Sequence, residues 1–153
     1  MKTIVLGVGN KILGDDGVGV HIANELKKHV RNKDVVIDEA ATGGLNLLDL
    51  ILGYDKAVIV DAVKDGLDGD VRRIPFTEFS TVHSSNPHDV SLAEAIEMAK
   101  RMGEDRIPDE IVVIGVSMKE NSYEFKERLS PKIAAAVPKA VKLALNELKG
   151  VGK

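Results

Sequence analysis

The sequence predicts an α/β protein with three layers, an α/β/α sandwich in which helices cover both faces of a mostly parallel sheet of about five strands. Two observations indicate this fold. Short runs rich in Val and Ile recur along the chain, and segments with helical spacing alternate with them. The apolar runs show no polar alternation, which is typical of parallel strands that are buried on both faces. We expect the 153 residues to form a single domain, residues 1–153.

The predicted elements follow one another in a regular order. Four apolar runs predict strands, at residues 3–9, 35–37, 57–63 and 110–116. The segment "GDVRRIPF", residues 69–76, alternates apolar and charged residues and ends in proline, so it predicts an antiparallel or edge strand. Helical spacing predicts helices at residues 16–30, 44–52, 88–102 and 131–148.

Composition and charge exclude several classes of protein. The formal net charge of −3 provides no basic surface of the kind that binds nucleic acid. No apolar run approaches the roughly 20 residues of a membrane span, and the first residues lack a signal-peptide cleavage site, so we expect a cytoplasmic protein without a membrane partner. Cysteine is absent, which excludes disulfides, thiolate ligands and a cysteine nucleophile. Any catalytic group must therefore use oxygen or nitrogen.

The opening stretch "VLGVGNKILGDDGVGV", residues 5–20, places glycines and two aspartates where a strand turns into a helix. Its spacing is two residues longer than the dinucleotide fingerprint G-x-G-x-x-G. Asp15 and Asp16 also put carboxylates at the helix N-terminus, where that fingerprint binds phosphate. The motif therefore argues against a nucleotide site. A structural alternative remains open, in which Asp15 is the helix N-cap and Asp16 only complements the helix dipole.

Other polar residues are expected at the same edge of the sheet, because sites in open α/β folds form at the carboxyl ends of the strands. Asp61 ends the run "AVIV", where its carboxylate could bind a cation or simply accept hydrogen bonds from loop amides. His88 falls in the first turn of a predicted helix, whose dipole favours the neutral imidazole that binds metals. Two carboxylates and one imidazole suit divalent nickel, zinc or manganese better than calcium or magnesium.

Five segments together resemble the hydrogenase maturation endopeptidases, which process the large subunit of nickel-iron hydrogenases. They are "VLGVGNKILGDDGVGV", "ATGGLNLLDLI", "VIVDAV", "NPHDVSLAEAI" and "VVIGVSMKE", followed by a long C-terminal helix. The resemblance runs in order over nearly the whole chain. It implies an endopeptidase that removes a C-terminal extension from the large-subunit precursor after nickel has been inserted.

The resemblance also implies roles for individual residues. The three metal-binding positions of the family fall on Asp16, Asp61 and His88, so these are the expected catalytic and metal-binding residues. Many members carry Glu at the position of Asp16, which gives this chain a carboxylate with a shorter reach. Thr42, Gly43 and Gly44 resemble the family's substrate-contacting loop, although they could equally be a plain turn before a helix. The expected cofactor is nickel, carried by the precursor and bound by the three ligands during cleavage.

Two other functions are compatible with parts of this sequence. The same ligands would suit a non-catalytic nickel-binding or chaperone module for hydrogenase assembly. Peptidyl-tRNA hydrolases also begin with a G-x-G-N turn on a similar fold. They are disfavoured because the aspartate pair replaces the residues expected after that turn and because the chain is not basic.

Overall fold

The computed structural model describes residues 1–10, 14–41, 44–63, 69–76, 92–118 and 129–149. Its strands are β1 (Thr3–Val8), β2 (Val35–Ala40), β3 (Lys56–Val63), β4 (Val71–Pro75) and β5 (Glu110–Ser117). A 3-10 turn, Gly14–Gly17, leads into helix α1 (Val18–Leu26). The other described helices are α2 (Gly44–Ile51), α3 (Leu92–Arg101) and α4 (Pro131–Glu147).

The five strands form one sheet with the order β2-β1-β3-β5-β4. The β1–β2, β1–β3 and β3–β5 pairs are parallel, whereas β4 is antiparallel to β5 and lies at one edge. This arrangement confirms the predicted fold, including the antiparallel edge strand. Helices α1 and α4 cover one face of the sheet, and α2 and α3 cover the other.

Burial follows from each strand's place in the sheet. Every residue of β1 and β3 is buried, because both strands have a strand on each side and helices on both faces. Strand β2 lies at the other edge from β4, and only its last residue, Ala40, is fully buried. Its exposed side chains explain why the sequence pattern identified only residues 35–37. Asp38 and Glu39 belong to the strand but face solvent, so they interrupt the apolar run.

The predicted first helix differs most from the structure. It was expected at residues 16–30, but it begins at Val18, after the 3-10 turn, and ends at Leu26. Exposed residues Lys27 to His29 form a turn closed by i to i−3 hydrogen bonds, such as His29 N to Leu26 O at 2.9 Å. Three consecutive exposed residues follow Leu26 and interrupt the apolar face of the helix. The start of the predicted helix 88–102 lies outside the described residues, which enter α3 at Leu92. None of the described helices is both long and apolar enough to cross a bilayer.

Candidate active site

The chain changes direction across the sheet between β1 and β3. From β1 it passes through α1 to β2 on one side, then returns through α2 on the opposite face to β3 on the other side. In open α/β sheets such a topological switch point opens a crevice at the carboxyl ends of the strands, because the two connections diverge there. The residues that follow β1 and end β3 therefore line the expected site.

Asp61 lies on the β3 side of this crevice. Pairing between β1 and β3 extends only to Gly7 and Val60, so Asp61 is the first residue of β3 beyond it, although it still pairs with Gly115 of β5. Asp61 is only 3% exposed, and its Oδ1 accepts a hydrogen bond of 2.8 Å from the amide of Ala62. Burying a carboxylate is costly unless hydrogen bonds or a cation stabilise it. This position is therefore suited to binding a cation.

Asp16 lies on the β1 side, in the 3-10 turn that contacts β3. It is half-buried, and its Oδ2 accepts a hydrogen bond of 3.1 Å from the amide of Asn10, two residues after β1. The turn and the strand end are thus joined through this carboxylate. Asp16 and Asp61 thus both lie at the carboxyl end of the sheet, on the two sides of the switch point.

The glycines of the opening motif allow this close packing. Gly9 has a φ of +146°, and a Cβ atom there would overlap the carbonyl oxygen of Asp16. A Cβ atom on Gly19, in α1, would overlap the carbonyl oxygens of Val8 and Val60. Glycine is needed at both positions because backbone packs directly on backbone. These two glycines therefore let the aspartate turn and α1 pack closely against the ends of β1 and β3.

Asp15 has a role that the sequence did not predict. The N-cap of α1 is Gly17, so the interpretation of Asp15 as that N-cap is wrong, because Asp15 lies inside the 3-10 turn, before the helix begins. Asp15 is 9% exposed, and its Oδ1 accepts a hydrogen bond of 2.7 Å from the amide of Ser130. Ser130 is the N-cap of α4. The first aspartate thus ties the motif to a helix 115 residues away in the chain.

The remaining predicted residues have different outcomes. His88, Thr42 and Gly43 lie outside the described residues, and Gly44 is the first residue of α2. Within the described part of the chain, no three His, Cys, Asp or Glu side chains form a group that could hold a metal ion. A complete ligand set of Asp16, Asp61 and His88 therefore stays a prediction.

An open cleft of about 270 Å³ lies beside the carboxyl ends of β1 and β2. It is lined by Gly9, Asn10, Val20, Glu39, Ala40 and Ala41. Asn10 is the residue whose amide holds Asp16, so the cleft adjoins the aspartate turn. Glu39 is not among the site residues that the sequence predicted. Its position as a polar residue near the carboxyl end of a strand, like that of Asp61, is the signal that could have found it.

Comparison with known proteins gives a consistent result. The family model described as hydrogenase maturation protease matches residues 20–147. The hydrogenase expression/formation protein HupD of Thiocapsa roseopersicina is 30% identical over 156 residues, which cover 99% of this chain and 69% of that protein. The hydrogenase 2 maturation protease of Escherichia coli is 29% identical over 157 residues, which cover 99% of this chain and 93% of that protein.

A solved structure extends the similarity to three dimensions. The hydrogenase maturating endopeptidase HybD from E. coli aligns with a TM-score of 0.83 and 28% identity, over 99% of this chain and 94% of its own. These comparisons support a protease, and they do not support the alternative of a non-catalytic nickel-binding or chaperone module. The chain therefore belongs to the hydrogenase maturation protease family, whose members are endopeptidases.

Proposed function

We propose that this protein removes the C-terminal extension of a nickel-iron hydrogenase large-subunit precursor after nickel insertion, in the cytoplasm. The observation that carries the proposal is the pair Asp16 and Asp61, whose carboxylates lie on the two sides of the switch point in a chain of this family. His88 is the proposed third ligand. One imidazole and two carboxylates are a donor set that suits nickel.

The two aspartates are held in a way that supports cation binding. Asp16 accepts a hydrogen bond from the Asn10 amide, and Asp61 accepts one from the Ala62 amide. A backbone amide fixes the direction of a carboxylate, so these two bonds hold the carboxylates in a defined orientation. The precursor's nickel, when bound, supplies a positive charge that fixes the precursor in the crevice and favours attack at a nearby carbonyl.

The chain's own residues account for the remaining steps of hydrolysis. Gly9 and Asn10 line a cleft beside Asp16, so a peptide backbone in this cleft lies next to a fixed carboxylate. We assign Asp16 as the group that accepts a proton from the attacking water and returns it to the leaving amine. Positioning the peptide before attack replaces an improbable encounter with a local rearrangement.

The direct test uses precursor in two forms, nickel-loaded and nickel-free, with the metal content of each component measured beforehand. The dialysed protein should contain little metal, because three protein ligands leave open coordination positions that only the precursor fills. It should cleave the loaded precursor without added metal and leave the nickel-free precursor intact, as judged by mass loss at the C-terminus. Cleavage of both forms would refute nickel recognition. Binding of the loaded form without cleavage would favour a non-catalytic module.

His88 can be tested separately. His88→Ala should abolish processing while leaving the denaturation midpoint close to that of the wild type, because the proposal gives His88 a role in binding nickel and none in the core. His29→Ala is the matched control, since His29 is exposed in the turn after α1. Normal processing by His88→Ala would remove this residue from the ligand set.

A further inference from the structure

The outer edge of β2 presents backbone groups that the sheet does not use. Strand β2 lies at one edge of the sheet, where it pairs with β1, and no other strand in the described ranges pairs with it. In a parallel strand the backbone groups of successive residues point alternately to the two edges. Thr3 N donates to Asp34 O and Gly9 N donates to Ala40 O, both at 2.9 Å. The backbone N–H and C=O groups of even-numbered residues in this segment therefore point toward β1, and those of odd-numbered residues point away from the sheet.

Three residues thus point their backbone groups away from the sheet: Val35, Ile37 and Glu39. The Val35 amide donates to Asn32 O, and the Glu39 amide donates to Asp38 Oδ1 at 2.8 Å. Ile37 combines an outward amide with an outward carbonyl in the middle of the strand. Its side chain packs against the core beneath α1, so the strand is fixed, and no strand of the described residues covers its outer edge. This geometry is suited to receiving one more strand.

The edge continues into the cleft beside the aspartates. Glu39, Ala40 and Ala41, at the end of β2, line that cleft together with Asn10. A chain that lay along β2 would therefore run into the space next to Asp16. The exposed side chains of Asp38 and Glu39 are both acidic, so the edge favours an extended segment that carries Lys or Arg over an acidic one.

We propose that β2 binds an extended, basic segment of the hydrogenase precursor as an added strand, and that this pairing aligns the segment with the cleft. The inference rests on the proposed function and adds where the substrate docks. Strand addition recognises the extended backbone itself, through main-chain hydrogen bonds, and leaves side-chain specificity to neighbouring groups. The central contacts are the Ile37 amide and carbonyl. An unpaired strand edge can promote aggregation, and in this proposal the edge binds the substrate instead.

The sharpest test removes one outward N–H and nothing from the β1–β2 ladder. Ile37→Pro does this, because proline lacks the amide and is tolerated in edge strands where the N–H faces out. Ile37→Ala is the matched control, since it truncates the side chain but keeps the amide. We expect Ile37→Pro to raise KM for the precursor about 10-fold over Ile37→Ala, as the loss of a good hydrogen bond predicts. The two variants should have similar denaturation midpoints.

Val36→Pro calibrates the assay. Its amide faces β1, so this variant should lose more stability than Ile37→Pro does. Hydrogen exchange in the wild type provides a measurement that needs no substitution. The Ile37 amide should exchange rapidly in the free protein and slow at least 10-fold in excess precursor. Unchanged exchange would overturn the proposal even if the proline variant failed to fold.

The outcomes separate this inference from the proposed function. Failure of the wild type to cleave nickel-loaded precursor would refute the function. Equal KM for Ile37→Pro and Ile37→Ala, with normal wild-type cleavage, would leave the function intact and refute docking on β2. A variant that cleaves normally but changes from dimer to monomer would show that a second copy of the chain occupies the edge, which also overturns the proposal.

Discussion

The two ends of the sheet hold their acidic side chains in different ways. At the amino ends of β3 and β5, Lys56 Nζ lies 3.0 Å from Glu147 Oε2 and 3.4 Å from Glu110 Oε1. It also donates to the backbone oxygen of Glu147, at the end of α4, while Arg73 Nε donates to Glu147 Oε1 at 2.7 Å. The side chain of Lys56 is only 9% exposed. Cationic side chains thus hold the end of α4 against the sheet.

At the carboxyl ends, backbone amides hold the carboxylates. Asp15, Asp16 and Asp61 accept hydrogen bonds from the amides of Ser130, Asn10 and Ala62. A side-chain cation offsets the charge of its partner, whereas an amide dipole only orients it. From this comparison we expect the amino end to contribute mainly to stability, whereas the carboxyl end carries the proposed nickel site. Four predictions test this contrast, from the largest expected effect to the smallest.

Asp61→Asn should have the largest effect, on activity. It removes the charge but keeps the size of the side chain and an oxygen that can accept the Ala62 amide. Processing of the precursor should fall more than about 100-fold, beyond the 10- to 100-fold cost of disturbing a residue that only supports a ligand. Glu110→Gln, at the opposite end of the sheet, is the control and should process normally. Comparable rates for the two variants would abolish the functional contrast between the ends.

Lys56→Met should have the largest effect on stability. It removes the buried cation and leaves Glu147 without one of its two basic partners. Breaking a largely buried pair from one side costs about 3 kcal/mol, which urea denaturation would detect. Processing per folded molecule should stay unchanged. Lys28→Met is the control, because Lys28 is 68% exposed in its pair with Glu25 and the expected loss is below about 1 kcal/mol.

The hydrogen bond between Asp15 and Ser130 should contribute about 1–3 kcal/mol, because a buried charged acceptor would lose its donor. Asp15→Ala removes the acceptor. Ser130→Pro removes the donor amide together with the serine hydroxyl, and the φ of −63° at Ser130 already suits proline. In the double variant, the loss in the free energy of unfolding should be smaller than the sum of the two single losses by at least about 0.5 kcal/mol. Additive losses would show that the bond does not connect the motif to α4.

Acid should weaken the amino end, by a smaller amount. Burial raises the pKa of Glu147, but the hydrogen bonds from Lys56 and Arg73 outweigh it and hold the pKa below the usual value of 4.5. Unfolded chains therefore bind this proton more readily than the folded protein, so stability is lost as the pH falls below about 4.5. Glu147→Gln should flatten the decline of the denaturation midpoint between pH 5 and pH 3, while Glu25→Gln, in an exposed pair with Lys28, should not. An equal decline in both variants would refute this account.

The strand pattern was predictable because the central strands carry unbroken apolar runs. Each of the runs at residues 3–9, 57–63 and 110–116 coincides with a parallel strand to within one residue at each end. The edge strands were harder, since exposed side chains interrupt the pattern. Pro75 correctly marked β4 as an edge, whereas Asp38 and Glu39 concealed the second half of β2.

The sequence by itself determined the order of elements, the family motifs and the identities of the acidic residues near the strand ends. These are local properties, because apolar periodicity and turn residues act over a few positions. Only the tertiary structure decided which aspartate does what. Asp15 and Asp16 are adjacent and chemically identical, yet one accepts from Ser130 and the other from Asn10. That difference depends on where α4 meets the sheet, a contact between residues 115 positions apart that no local pattern encodes.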